Sequence, residues 1–303
     1  VVDQLLAYRT ESPMTEADAF APANIALCKY WGKRNTELNL PVTSSLSLSL
    51  GSLGSQCHLS FCEEHDEVIL NDTSLAADDP FVTRLSQYLA LFRKDSERYY
   101  RVETMNTIPT AAGFASSASG FASIVLALDK LHGWALNDTE LSILARLGSG
   151  SACRSLWQGL VEWHAGETDT GVDSFAQPLD AGWPELRIGL LVLEAGKKPI
   201  GSREAMLRTV ETSPLYAAWP NKVAADMQAL HEAIEKKDFE QLGATAESNA
   251  ITMHATMMAA LPAVVYWLPE SVATMHKVWQ LRRDGLPVYL TMDAGPNVKL
   301  LFQ

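Results

Sequence analysis

The segment PTAAGFASSASG, residues 109–120, joins a strand-like run to a strongly apolar, helix-like run. Before it, residues 99–105 alternate as a half-buried strand does. After it, FASIVLALDKLHG has helical spacing and closes on Gly133, a natural C-terminal stop. Small residues at a strand-to-helix junction let backbone N–H groups approach an anion, and the helix dipole then points its positive end at it. The segment reads as a phosphate-binding loop or simply as a helix start rich in small residues. It is neither a Walker A motif, since no Gly-Lys-Ser/Thr follows, nor GxGxxG.

Outward from that junction the chain reads as an interspersed set of strands and helices. Residues 45–50 and 57–61 alternate like two paired strands with Gly51 and Gly54 between them, and 67–70 predicts a further strand ending at Asn71-Asp72. Residues 81–92 predict a helix, and Asp138 is the expected cap of another running towards Leu147. Residues 159–164 and 186–193 predict strands, 202–283 are largely helical, and 288–291 and 298–302 predict closing strands. The pattern is that of an α+β protein with two lobes divided near residues 181–185, giving lobes of 1–184 and 185–303.

The composition suits such a chain. Its 303 residues suffice for two packed lobes sharing a core, and 47% hydrophobic with 20% charged residues is ordinary for a globular protein. No apolar run approaches the roughly 18 to 20 residues that cross a bilayer. The start has neither the basic nor the apolar region of a signal peptide. It lacks a methionine, and the end stops within a strand-like pattern, as expected of a sequence trimmed at both ends. A net charge of −12 argues against nucleic-acid binding and makes local clusters of cations more telling. Cys28, Cys57, Cys62 and Cys153 show no CxxC spacing and read as reduced, structural and cytoplasmic. None of the seven histidines is expected to bind metal.

Four further segments are dense in chemistry. APANIALCKYWGKRNTELNLPVTSSLS, from Ala21, sets Lys29, Lys33 and Arg34 beside Tyr30 and Trp31. It is either a strand end with exposed cations or a wall of donors for a polyanion. GSGSACRSL, residues 148–156, places small hydroxyl residues at a helix start with Arg154 one turn inside. This is an anion nest, or a capped helix whose arginine makes a surface ion pair. KKPIGSREAM, residues 197–206, places Ser202 and Arg203 at a helix start, where Ser202 reads most simply as a cap. TMDAGPN, residues 291–297, puts Asp293 at a strand end, suited either to a turn or to a cleft. There is no GxSxG elbow for a serine hydrolase and no paired-histidine motif for a zinc enzyme.

Taken in order, NIALCKYWGKRN, LPVTSSLSLSL, PTAAGFASSASG, GSGSACRSL and MDAGPN resemble the mevalonate diphosphate decarboxylase family of the GHMP kinase superfamily, over nearly the whole chain. The resemblance implies a GHMP kinase-like fold: an N-terminal α/β lobe of the ribosomal protein S5 domain 2-like type and a C-terminal ferredoxin-like lobe around a deep cleft. It implies ATP-dependent conversion of mevalonate 5-diphosphate to isopentenyl diphosphate, phosphate, ADP and CO2 through a 3-phosphorylated intermediate, with Mg2+ accompanying ATP and metal ligands that cannot be named. A homodimer is expected. By the same resemblance Asp293 orients or deprotonates the tertiary alcohol, Lys29 holds Asp293 ionised, and Arg154 meets the C1 carboxylate. Tyr30, Trp31, Lys33, Ser149, Ser151, Ser202 and Arg203 line the substrate site, with Lys33 and Arg203 at the diphosphate. Gly113, Ser116 and Ser117 stand nearest the ATP phosphates. Phe114, Ser119, Cys28 and Trp157 vary the family pattern without removing a reactive group, and Gly201 stands where a serine is usual. The alternatives are decarboxylation of the monophosphate, and a 3-hydroxyl kinase that stops before CO2 loss. The kinase is expected to lack part of the Asp-Lys-Arg set.

Overall fold

The computed structural model describes residues 1–93, 98–108, 116–196 and 198–303. Residues 109–115, most of the small-residue loop, therefore lie outside the described residues, and Ser116 is described through its backbone alone. A short helix α1 (Val2–Leu6) precedes β1 (Glu16–Cys28), β2 (Lys33–Asn35), β3 (Leu40–Pro41), β4 (Ser45–Cys62), β5 (Glu67–Leu70) and β6 (Thr73–Ser74). Helix α2 (Pro80–Ala90), β7 (Tyr99–Asn106), α3 (Ser116–His132), α4 (Asp138–Gly148), β8 (Leu160–Trp163) and β9 (Ala176–Pro178) follow. The last part holds β10 (Arg187–Leu191), α5 (Ser202–Thr212), α6 (Trp219–Lys236), α7 (Phe239–Met258), α8 (Pro269–Arg283), β11 (Tyr289–Met292) and β12 (Val298–Phe302).

One sheet runs β6-β5-β7-β4-β8-β9, with β1 also paired to β4. Its centre is the long strand β4, which binds β1 on one edge and β7 and then β8 on the other. The two strands expected at 45–50 and 57–61 are thus one element that never pairs with itself. The glycines serve close approach: a Cβ at Gly54 would sit 2.1 Å from the carbonyl oxygen of Ala21 on β1. The registers on either side, Pro22 with Gly54 and Asn24 with Ser49, leave a bulge at that point. β1 itself was not legible as a strand, because alanines and a proline carry little strand signal. It alternates exposed and buried residues up to Phe20 and is buried from Ala21 to Cys28, where both its faces are covered.

Local capping differs from expectation in two places. The cap of α4 is Asn137, not Asp138, and forms a reciprocal box with Glu140. The cap of α5 is Gly201, and Ser202 is already the first helical residue. Gly133 stops α3 as expected, with φ at +67°.

Apolar residues of β1, β4 and β7 pack with α3 and α4 into one core. A second core gathers α6 and α7 around the far ends of the same sheet, Leu27 and Cys28 of β1 and Leu46 and Leu48 of β4. The C-terminal sheet, β10-β12-β11, is antiparallel and has three strands among the described residues. Both halves are therefore anchored to the end of β1, and this places the residues that follow it. The four cysteines are free thiols. Among the described residues, no helix is long and apolar enough to cross a membrane.

Candidate active site

β1 ends at Cys28, so Lys29 emerges at the meeting point of the two cores. Its backbone N–H donates to Oδ1 of Asn249 on α7 (2.8 Å), which fixes the chain direction. Its ammonium, on a residue only 2% exposed, donates to the Ala26 carbonyl (2.6 Å) and to Oδ1 of Asp293 (2.8 Å).

Asp293 sits in the tight connection between β11 and β12. Its second oxygen, Oδ2, lies 3.3 Å from the ammonium of Lys299 on β12. Burial acts to raise the Asp293 pKa, but the Lys29 and Lys299 ammoniums outweigh it and hold the carboxyl well below the usual carboxylate range. The Asp293 carbonyl is held by Nε2 of His254 (3.0 Å). Burial pushes that imidazole down to about 3, so the ring is neutral and donates its N–H to the carbonyl. Burial likewise lowers Lys29, with Asp293 opposing the shift.

Arg154 is buried at the end of a single 3₁₀ turn, Gly150–Arg154, that follows α4. The helix expected to start there is this short 3₁₀ element, with Ser149 before its first residue and Arg154 at its end. The guanidinium is held by neutral groups: the Ser45 hydroxyl, Oδ1 of Asn24 (3.4 Å) and the Trp163 ring at 5.8 Å. Burial lowers its pKa, with Asp293 among the groups that oppose the shift.

These groups face one cavity of about 550 Å³. Eleven of the thirteen residues singled out in the sequence line it: Asp293, Lys29, Arg154, Tyr30, Trp31, Lys33, Ser149, Ser151, Ser202, Arg203 and Ser117. Of the other two, Gly113 is outside the described residues and Ser116 opens α3. Tyr30 packs edge-on against Trp163 (4.7 Å), and Lys33 donates to Oδ1 of Asn39 (2.5 Å). The Ser202 hydroxyl accepts from Lys198, whose ammonium also donates to the Ala294 carbonyl (2.7 Å each).

Five contributors were not found by reading the sequence: Lys299, His254, Asn24, Lys198 and Arg84. Asn24 and Lys198 lie inside segments already singled out. Lys299, in the strand VKLLF, offered the signal of a charged residue among apolar ones. His254 and Arg84 lie on ordinary helices and offered none.

Lys29, Lys33, Arg84, Arg154, Lys198 and Arg203 thus face a space in which Asp293 is the single carboxylate among the described lining residues. In a protein of net charge −12 this is a concentrated polyanion site. The chemistry it suits is the binding of phosphate-bearing molecules around one ionised carboxylate, Asp293.

Residues 21–176 match the family model for the diphosphomevalonate decarboxylase-like N-terminal domain, and residues 188–303 that for the mevalonate 5-diphosphate decarboxylase C-terminal domain. The chain is 37% identical to diphosphomevalonate decarboxylase mvd1 of Aspergillus fumigatus, over 98% of this chain and 79% of that one. The solved mevalonate diphosphate decarboxylase of Enterococcus faecalis superposes with a TM-score of 0.88 at 41% identity, covering 95% of this chain and 89% of the other. A structure described as MDDEF in complex with MVAPP, AMPPCP and magnesium gives the same values. The two matched domains account for both halves of the cavity wall, and with this GHMP kinase-like fold the chain belongs to the diphosphomevalonate decarboxylase family.

Proposed function

We infer that this chain catalyses the ATP-dependent decarboxylation of mevalonate 5-diphosphate to isopentenyl diphosphate, with ADP, phosphate and CO2 as the other products. The observation that carries this reading is the grouping of Asp293, Lys29 and Arg154 on one cation-lined cavity. The substrate brings a carboxylate and a diphosphate, ATP brings a triphosphate, and the cavity brings six cations.

In the first step the C3 oxygen attacks the γ-phosphorus and ADP leaves. A tertiary alcohol is a far weaker acid than any carboxylic acid, and Asp293 is a weaker base than an ordinary carboxylate. Asp293 therefore accepts a hydrogen bond from the hydroxyl and orients it, and the proton departs with or after phosphoryl transfer. Lys29 keeps Asp293 ionised and offsets charge on the transferring group. In the second step the C3–O bond breaks with its electron pair going to phosphate, the C1–C2 pair becomes the C2–C3 double bond, and CO2 leaves. Arg154 orients the C1 carboxylate. Binding it more tightly would oppose its departure.

Tyr30, Trp31, Ser149, Ser151 and Ser202 shape the substrate site, Lys33 and Arg203 meet the diphosphate, and Gly113, Ser116 and Ser117 meet the ATP phosphates. Mg2+ enters with ATP as part of the co-substrate. No cluster of three or more His, Cys, Asp or Glu side chains suited to a metal occurs among the described residues, and Asp293 is engaged by two ammoniums. Such an ion would keep phosphate oxygens and water among its ligands and would offset charge on the phosphates. The lobes are 1–184 and 185–303, the protein is a cytoplasmic homodimer, and its partner is the small-molecule substrate.

The test is an ATP-dependent assay with C1-labelled mevalonate, its 5-phosphate and its 5-diphosphate, following ADP and labelled CO2 together. Equal ADP and CO2, fastest with the diphosphate, is the expected result. ADP without CO2, or a preference for the monophosphate, overturns the reading.

A further inference from the structure

Three of the cations that line the cavity come from different elements. Lys33 follows β1 closely, Arg203 opens α5, and Arg84 lies on α2. Arg84 reaches the cavity from an element that otherwise packs into the first core. Its Nη2 donates to the Gly148 carbonyl (2.5 Å), and its guanidinium lies 4.7 Å from the centre of the Phe121 ring. Its Nε is buried and has no hydrogen-bond partner among the described residues.

Among the described residues no carboxylate faces this group, since Asp293 is occupied by Lys29 and Lys299. The cations destabilise one another instead. Burial, then Arg203, then Arg84 push the Lys33 ammonium down to about 8. Burial and then Arg203 push Arg84 down to about 10, with Tyr30 opposing. Uncompensated like charges held at short range cost folding free energy, and a bound anion removes that cost. Lys33 and Arg203 already suffice in charge for a phosphate monoester. The third cation adds what a second phosphate needs, and guanidinium is the group that binds phosphate oxygens through a planar fork.

We propose that Arg84 is a specificity-determining residue: with Lys33 and Arg203 it binds the second phosphate of the substrate's diphosphate and so sets the preference for diphosphate over monophosphate. This rests on the decarboxylase reading above. Its hydrogen bond to the carbonyl of Gly148, the neighbour of the lining residue Ser149, assigns it to the substrate end of the cavity and not to the nucleotide.

The experiment compares wild type, Arg84→Met and Arg84→Lys on mevalonate 5-diphosphate and 5-phosphate, measuring kcat/KM for each and KM for ATP. For Arg84→Met, kcat/KM for the diphosphate falls about 10- to 100-fold, the range for a lost charge-assisted hydrogen bond. The value for the monophosphate falls far less, and KM for ATP stays within about twofold. Arg84→Lys keeps the charge without the fork and lies between. A second readout needs no turnover: inorganic pyrophosphate raises the Tm of wild type more than orthophosphate does, and Arg84→Met loses that difference. An equal loss on both substrates would reduce Arg84 to a support for Gly148 and Phe121, and a rise in KM for ATP would move it to the nucleotide; either overturns the proposal. Should wild type itself prefer the monophosphate, the decarboxylase reading fails first and separately.

Discussion

Lys29 and Asp293, separated by 264 positions in the chain, meet at 2.8 Å through an ammonium and a carboxylate oxygen. The pair closes the molecule at its functional centre, because Lys29 leaves the last residue of β1 and Asp293 leaves the last residue of β11. Each end is fixed by α7: Asn249 holds the Lys29 amide and His254 holds the Asp293 carbonyl. A buried ion pair of this kind is weak evidence for stability, since desolvation offsets much of the attraction. Its value lies in holding a carboxylate ionised where a neutral acid would be useless.

Replacing Lys29 by Met removes one of the two cations beside Asp293 and the ammonium proposed to offset charge on the transferring group. The expected result is a fall in kcat of about 10²- to 10³-fold, the scale of losing one preorganised electrostatic donor. KM for the diphosphate should move much less, as Lys33 and Arg203 are untouched. Lys29→Arg should not restore the rate, because a planar fork does not fit a niche built for a compact ammonium. Steady-state kinetics of both variants checks this, and a kcat within a few-fold of wild type would remove Lys29 from the chemistry.

Asp293→Asn tests the other partner through both activity and stability. With the carboxylate gone, the buried Lys29 loses its ion-pair partner, and the contact of Asp293 with Lys299 at 3.3 Å is lost as well. The kcat should fall about 10²-fold or more. The unfolding free energy should fall by about 3–5 kcal/mol, the range for stranding a buried charge. Denaturant unfolding supplies the second number. An asparagine variant as stable as wild type would mean that the two ammoniums are not dependent on Asp293.

The reading from sequence was strongest where chemistry and periodicity coincide and weakest where packing alone decides. Asp293 in TMDAGPN and Arg154 in GSGSACRSL stood out because polar residues sit where strand or helix patterns break. His254 did not stand out, and the charge of Lys299 among apolar neighbours assigned it no role by itself, because only their placement beside Asp293 gives them meaning. The same limit explains β1. Its alanines and proline are poor strand formers in isolation, yet pairing with β4 along its edge and packing against α3 and α7 override the propensity. The glycines of β4 misled for a related reason: small residues signal a turn or a close approach, and only the neighbouring strand distinguishes them.

Substrate binding should take up protons near pH 8. Lys33 and Lys198 are both pushed down to about 8, chiefly by burial, against an unfolded value of about 10.4. In the free protein both are charged below pH 8 and become neutral as pH rises through it. The unfolded chain binds more protons between pH 8 and 10.4, so these two groups make folding more favourable as pH rises through that window. A diphosphate favours the charged ammonium, raises its pKa and so draws a proton in. Calorimetry at pH 8 in buffers of different ionisation enthalpy should show net uptake, and at pH 6.5 the contribution of these lysines should vanish. Lys33→Arg should remove its share of the uptake, since arginine stays charged throughout. Binding with no proton uptake at pH 8 would show that neither lysine meets the anion.

Gly150 tests how closely the wall of the site is packed. A Cβ built there would lie 2.8–2.9 Å from the hydroxyl oxygen and ring atoms of Tyr30, closer than unbonded atoms settle. Tyr30 cannot yield freely, because its ring rests against Trp163 at 4.7 Å. Gly150→Ala should therefore displace the Tyr30 ring within the cavity while leaving the two cores intact. The expected outcome is a rise of about tenfold in KM for the diphosphate, equivalent to roughly 1.4 kcal/mol. KM for ATP should stay near wild type, and Tm should fall only slightly. Combining Gly150→Ala with Tyr30→Phe isolates the cause: if the clash acts through the hydroxyl, the double variant should bind better than Gly150→Ala alone. A double variant no better than the single one would place the strain in the ring itself, and an unchanged KM in Gly150→Ala would show that Tyr30 does not bear on the substrate.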